Sequence, residues 1–221
     1  MKNVYEAALS SVRVYQIELT NHCNATCTYC PQPTHARERG FMTEATFRRV
    51  LEVMENRSVL LHHFGESLLH RELEKFVAIA TSAGVAVGIS TNGRTLTQKR
   101  LDDLYNAGLR WMRLHTDPFN VRARNFVVQP DFELTEHRLL VKNDAPKKEL
   151  QSFAGYLDVE ASGPGPKKCS YIVDAWRVVL WSGEFGLCCN DVEGVNNTSL
   201  CASCSGYVFT DPLDWGAYGG K

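Results

Sequence analysis

Between Arg13 and His115, short β-rich runs alternate with helical stretches, and this pattern most narrows what the chain can fold into. VRVYQIEL (Val12–Leu19) places apolar residues at alternate positions and reads as a strand. Thr43–Glu55 reads as a helix, because Phe47, Val50, Leu51 and Met54 recur at helical spacing behind Thr43 as N-cap. SVLLHHF (Ser58–Phe64) is the second strand, and Glu72–Ala83 the second helix, with Leu73, Phe76, Val77 and Ala80 on one face and Gly84 as its stop. VAVGIST (Val85–Thr91), a helix over Thr97–Ala107 ending at Gly108, and LRWMRLH (Leu109–His115) complete the series. Strands alternating with helices imply βαβ units, hence a parallel sheet with right-handed crossovers.

After Asp117 the regularity fades. DPFNVRARN is too short for a full crossover helix, and FVVQ (Phe126–Gln129), HRLLVK (His137–Lys142) and YLDVE (Tyr156–Glu160) are weaker strand candidates. The expected fold is therefore α/β, a truncated partial (β/α) barrel over 12–161. SGPGPKK (Ser162–Lys168) reads as a linker into a small cysteine-rich β-hairpin domain over 162–221, in which WRVVLWSGEFGLCC turns at Ser182–Gly183.

Composition enters through the cysteines. The chain has 221 residues and eight cysteines, no run near the roughly eighteen apolar residues of a membrane span, and an N-terminus (MKNVYEAALSSVRVYQ) without the apolar core of a secretory signal. The expected location is cytoplasmic, with no membrane partner. A reducing cytosol disfavours disulfides, so clustered cysteines point to metal or redox chemistry. They fall into two groups, at 23–30 and 169–204. A net charge of −1 argues against a strongly electrostatic nucleic-acid binder. Arg122, Arg124, Lys142, Lys147, Lys148, Lys167 and Lys168 alternate with acids and read as a solvated surface.

ELTNHCNATCTYCPQP sets Cys23, Cys27 and Cys30 in a loop just after the first strand. Three thiolates can hold three irons of a [4Fe–4S] cube and leave the fourth iron open to a small chelating molecule. A zinc site with His22 as fourth ligand, or a disulfide with one spare thiol, are the competing readings.

CxxxCxxC after strand one of a βα series resembles the radical S-adenosylmethionine (SAM) superfamily, over roughly Val12 to Asp117. Tyr29, before the third cysteine, matches the aromatic that the family places near the adenine. HFGES (His63–Ser67) is similar to the family's Gly-Gly-Glu-Pro motif for the methionyl amine. Gly65 and Glu66 match it, while Phe64 and Ser67 depart from it. STNG (Ser90–Gly93) implies that Ser90 and Asn92 contact the SAM methionine or ribose. HTDP (His115–Pro118) stands where relatives carry Ser-x-Asp, and Arg122 and Arg124 where relatives hold the SAM carboxylate with an arginine. These motifs sit at successive strand ends, the edge at which open α/β sheets and barrels bind ligands.

KKCSYIVDAWRVVLWSGEFGLCCND resembles the start of the family's SPASM and twitch extensions. The resemblance implies an auxiliary [4Fe–4S] cluster on Cys169, Cys188, Cys201 and Cys204, with structural zinc as the alternative. Cys189 is left over. His115, Asp117 and Cys189 are the candidate catalytic residues. Adjacent residues of a strand face opposite ways, so His62 and His63 are not expected to share a metal. Trp111, Trp176 and Trp181 are expected in strands as core.

The resemblance implies that the cluster passes one electron to bound SAM, giving methionine and a 5′-deoxyadenosyl radical that takes a hydrogen atom from substrate carbon. An electron donor such as flavodoxin or ferredoxin is implied, and the substrate would be a peptide or an amino-acid-like small molecule. The chain's length is also similar to compact phage-type radical SAM isomerases acting on amino-acid-modified bases in DNA. Isomerase and oxidoreductase outcomes stay open. A different class of function is a non-catalytic zinc or iron–sulfur binding module.

Overall fold

The computed structural model describes residues 3–27, 30–116, 126–138, 176–186, 188 and 194. Five strands follow in chain order, β1 (Arg13–Ile17), β2 (Ser58–Leu61), β3 (Ala86–Thr91), β4 (Trp111–Thr116) and β5 (Glu133–Arg138). Helices α1 (Glu44–Val53), α2 (Leu73–Ser82) and α3 (Gln98–Asn106) alternate with the first four of them. Two further strands, β6 (Trp176–Val179) and β7 (Phe185–Gly186), bring the sheet to seven strands among the described residues, in the order β5-β4-β3-β2-β1-β6-β7. All pairings are parallel except β6–β7. This parallel-dominated sheet with helical crossovers is the expected partial-barrel class of fold.

The helices form where the periodicity puts them. The Thr43 side chain caps α1 by accepting from the Thr46 N–H, and α1 buries Phe47, Val50, Leu51 and Val53. Phe47 stacks on Phe76 of α2 at 4.7 Å. Burial is worth about 1.5–3 kcal/mol per large apolar side chain against about 1 for a cap, so packing, not capping, dominates the stability of α1. Gly84 and Gly108 both adopt positive φ after their helices, as their C-terminal positions require.

Strand parity divides the sheet into two faces. Val59 and Leu61 of β2, Val87 and Ile89 of β3 and Met112 of β4 join the main core with the helices. Their alternates, Leu60, Gly88, Ser90, Trp111, Arg113 and His115, lie on the opposite, inner face. A bulge between Val14 and Gln16 adds one residue to β1, so that Val14 and Ile17 both reach the core. Gln16 then lines up on the inner face with Leu60, Gly88 and Trp111. A side chain at Gly88 would collide with the Trp111 ring, which lies across it.

Four expectations are corrected. FVVQ forms no strand: Val127 is 74% exposed, and its N–H and carbonyl pair with the Gln98 side-chain amide at 3.0 and 2.8 Å. The fifth strand is ELTEHR, starting four residues before the expected HRLLVK. β2 ends at Leu61, so His62 and His63 follow the strand rather than belonging to it. Trp181 lies in the β6–β7 turn, where its ring packs on Gly40. That hairpin, expected within 162–221, hydrogen-bonds directly to β1 of the main sheet. The boundary at 161/162 and the YLDVE candidate lie outside the described residues. Sequence reading also passed over the first residues: Val4 and Ala7 are buried, held by Arg49 through their carbonyls at 3.1 and 2.7 Å.

Candidate active site

The loop from β1 to α1 carries Cys23, Cys27 and Cys30, and hydrogen bonds to one asparagine organise it. The Asn21 side-chain amide donates to the Glu38 carbonyl at 2.7 Å, and its Oδ1 accepts from the Gly40 N–H at 2.9 Å. The Asn21 carbonyl accepts from Gln32 Nε2 and Arg39 Nη1 at 2.8 and 2.7 Å. Beneath this, Arg37 makes a bidentate pair with buried Glu18, both contacts at 2.7 Å. Trp181 Nε1 donates to the Glu38 carbonyl at 3.2 Å, so the hairpin turn also grips the loop.

The three thiols are free and half-buried. Burial pushes the Cys23 thiol above its ordinary pKa and raises Cys30 to about 11, and neighbouring thiolates add to both shifts. Three mutually repelling sulfurs in a partly desolvated loop suit a cationic iron centre, which reverses the sign of that interaction. Among the described residues no three His, Cys, Asp or Glu side chains converge on a single metal ion. A cube that offers each thiolate its own iron does not require them to. His22, the fourth ligand in the zinc reading, is stacked on Phe41 at 4.7 Å.

Gly65 and Glu66 brace this loop from the end of β2. A Cβ at Gly65 would strike the Thr20 carbonyl oxygen, so glycine allows the two backbones to meet. The Glu66 N–H donates to the His22 carbonyl at 2.8 Å. Its carboxylate accepts from the Thr91 hydroxyl (2.6 Å), the Asn92 N–H (2.7 Å) and the Leu68 N–H (3.0 Å). Burial pushes the Glu66 pKa up, and these three donors oppose the shift. Asn92 Nδ2 donates to Asn24 Oδ1 at 2.8 Å and lies 3.8 Å from Cys23 Sγ, and Arg94 Nη1 donates to the Asn24 carbonyl at 2.9 Å. The ends of β2 and β3 are thereby tied to the cysteine loop that follows β1.

The family model of the radical SAM superfamily matches residues 17–136, which contain the cysteine loop, Gly65, Glu66 and Asn92. The chain belongs to the radical SAM superfamily. Membership implies SAM and a [4Fe–4S] cluster as the family's cofactors. An S-adenosyl-L-methionine-dependent 2-deoxy-scyllo-inosamine dehydrogenase from Niallia circulans is 33% identical over 102 residues, covering 43% of this chain and 41% of the relative. A PqqA peptide cyclase from Xanthomonas oryzae pv. oryzae is 36% identical over 101 residues, covering 44% of this chain and 27% of the relative. The matches thus span less than half the length of these curated relatives. Among solved structures, BtrN in complex with AdoMet and 2-DOIA superposes with a TM-score of 0.62 at 23% identity, covering 84% of this chain and 76% of that one. Streptococcus suis SuiB bound to precursor peptide SuiA gives 0.55 at 12% identity, covering 96% and 68%. At these identities the two structures speak for the radical SAM fold alone.

Of the expected site residues, the structure brings together Cys23, Cys27, Cys30, Gly65, Glu66, Ser90 and Asn92 at one edge of the sheet, with His115 near the end of β4. Cys188 is apart from them, packed against the inner-face cluster of Tyr15, Trp176, Val178 and Leu180. Tyr29, Asp117, Arg122, Arg124, Cys169, Cys189, Cys201 and Cys204 lie outside the described residues. Sequence reading missed Asn21, Asn24, Glu18, Arg37 and Arg94. Only Glu18 carried a signal, a charged residue inside the VRVYQIEL run read as a strand. No helix of the described residues is long and apolar enough to cross a membrane.

Proposed function

We propose that Cys23, Cys27 and Cys30 bind three irons of the [4Fe–4S] cluster and that the fourth iron receives the amino and carboxylate groups of SAM. When bound, the cluster would supply the electron for reductive cleavage of SAM, and with it the radical chemistry that takes hydrogen from a substrate carbon. The observation that carries this reading is the coupling of the cysteine loop to Gly65, Glu66 and Asn92 across three strand ends. The chain's own contribution is positional. Gly65 lets the loop after β2 lie against the cysteine loop, with backbone left to meet the methionyl amine. Glu66 anchors the β3 end, so that Asn92 and Ser90 face the methionine or ribose. Tyr29 would cover the adenine, and Arg122 or Arg124 would pair with the carboxylate.

The substrate is taken to be a small molecule or a peptide, the two classes named in the relatives. His115, Asp117 and Cys189 are the candidates for contact with it. An auxiliary [4Fe–4S] cluster on Cys169, Cys188, Cys201 and Cys204 would serve electron transfer or structure, and a flavodoxin or ferredoxin would supply electrons. Anaerobic reconstitution followed by assay of 5′-deoxyadenosine tests the reading. The wild-type protein should release it under reducing conditions and Cys27→Ala should not. Equal, background-level release from both would refute it.

A further inference from the structure

Phe41 is 44% exposed, and its neighbours give that exposure a meaning. Its ring lies flat on His22, 4.7 Å away and 16° from parallel, and His22 directly precedes Cys23. The ring is held from behind, because His70 meets it edge-on at 5.8 Å and packs in turn on Phe76 of α2 at 4.6 Å. Its backbone is fixed to the base of the cysteine loop. Phe41 forms a β-bridge with Thr20, and the Met42 N–H donates to the Leu19 carbonyl at 2.8 Å. Single exposed apolar side chains are common, but a rigid aromatic ring stacked beside an iron-ligating position is placed to anchor a partner. Phe76 belongs to the core shared with the helices, so the stack opens on the outer side of the sheet, away from the inner face that carries His115.

The surroundings are basic. Arg94 is exposed on the other flank of Cys23 and donates to the Asn24 carbonyl at 2.9 Å. Arg71, next to His70, is exposed and makes no ion pair among the described residues. Arg39 binds two carbonyls and His35 rather than a carboxylate. Against these three arginines, residues 20–41 hold a single acid, Glu38, in a chain whose net charge is −1. Glu44 and Glu72, further out, are matched by Arg48 and Lys75.

We propose that Phe41 and this arginine rim form the docking surface for a small acidic protein carrying a one-electron centre, and that the electron enters at Cys23 through the Phe41–His22 stack. The inference rests on the function proposed above, which needs an electron from outside and leaves its point of entry open. In the step the carrier is oxidised by one electron and the cysteine-held cluster is reduced by one, and no bond forms or breaks. The ring provides the close approach. The arginines steer the encounter, so their effect falls on association and on its salt dependence.

The test uses the full chain, reconstituted anaerobically, with a fully reduced bacterial flavodoxin as the acidic carrier and dithionite as the small reductant that needs no docking surface. Stopped-flow absorbance follows reduction of the cluster, and calorimetry with oxidised flavodoxin measures binding. Flavodoxin should bind and reduce the wild type. Phe41→Ala should slow that reduction about tenfold, as loss of an interface anchor does, and leave the dithionite rate unchanged. Phe41→Tyr keeps the ring and should reduce at the wild-type rate. Arg71→Glu should weaken flavodoxin binding and flatten its dependence on salt. The proposal is overturned by a wild type that flavodoxin neither binds nor reduces, or by Phe41→Ala that is unslowed or slowed equally with both reductants. Phe41→Tyr as slow as Phe41→Ala, or Arg71→Glu with wild-type affinity and salt dependence, would overturn it too. Release of 5′-deoxyadenosine with dithionite is measured in the same samples. Its absence in the wild type would fault the underlying function, whereas its presence beside any of these failures faults the docking surface alone.

Discussion

At the scale of single residues, the site depends on what two adjacent positions exclude. Gly65 has no room for a Cβ against the Thr20 carbonyl, and backbone on both sides cannot yield as a flexible side chain would. Gly65→Ala is expected to cost about 1–3 kcal/mol or more and to separate the cysteine loop from the β2 end. A lowered thermal midpoint together with reduced iron incorporation would show it. The Gly-Glu pair was legible in HFGES, and the structure also accounts for the departures beside it. Ser67 donates to the Leu61 carbonyl at 2.8 Å, and Phe64 is buried against His63. His62 gives a pH prediction. Burial, with smaller effects from His115, His63 and Arg113, lowers its pKa from 6.5 to about 3. The unfolded chain therefore takes up a proton near pH 6.5 that the folded chain refuses. This contribution to stability is complete above pH 6.5, falls by up to about 1.4 kcal/mol per pH unit on acidification, and stops falling below about pH 3. Urea midpoints at pH 7 and pH 5 should differ less in His62→Phe than in the wild type.

At the scale of elements, the first four strands and three helices were legible because each carries its own period and its own stop signal. The fifth strand was not. FVVQ has the apolar, β-branched composition of a strand, yet the Gln98 amide occupies the backbone of Val127, and Val127 stays largely exposed. ELTEHR looks polar, and among the described residues β5 is the outermost strand beyond β4, a position where charged residues are common. The cysteine loop follows a different rule, since it is held by side chains instead of a ladder. Arg37→Met would leave Glu18 buried without its partner, which typically costs about 3–5 kcal/mol. The loss should fall on the loop and the β6–β7 turn together, and amide hydrogen exchange at Asn21 and Trp181 would report it. Exchange unchanged at both positions would mean that the ion pair does not organise the loop.

At the scale of the whole molecule, the sheet joins distant parts of the chain into one platform. β6 pairs with β1 across about 160 residues of sequence, from Arg13 to Trp176. No local pattern announces such a pairing, and rules for consecutive strands favour neighbours. The hairpin was therefore readable and its place was not. By contrast, motifs at successive strand ends could be read in order, because a parallel sheet brings those ends to one edge. That edge carries the cysteines, the Gly65–Glu66 brace and Asn92. The central claim, that three thiolates leave one iron free to chelate SAM, is tested most directly by electron–nuclear double resonance. The sample is the reduced protein with SAM labelled by nitrogen-15 at the amino group and oxygen-17 at the carboxylate. The account predicts hyperfine coupling of both labels to the cluster in the wild type, and none in Cys27→Ala. A fully formed, reduced wild-type cluster that shows no coupling to either label with SAM present would contradict it.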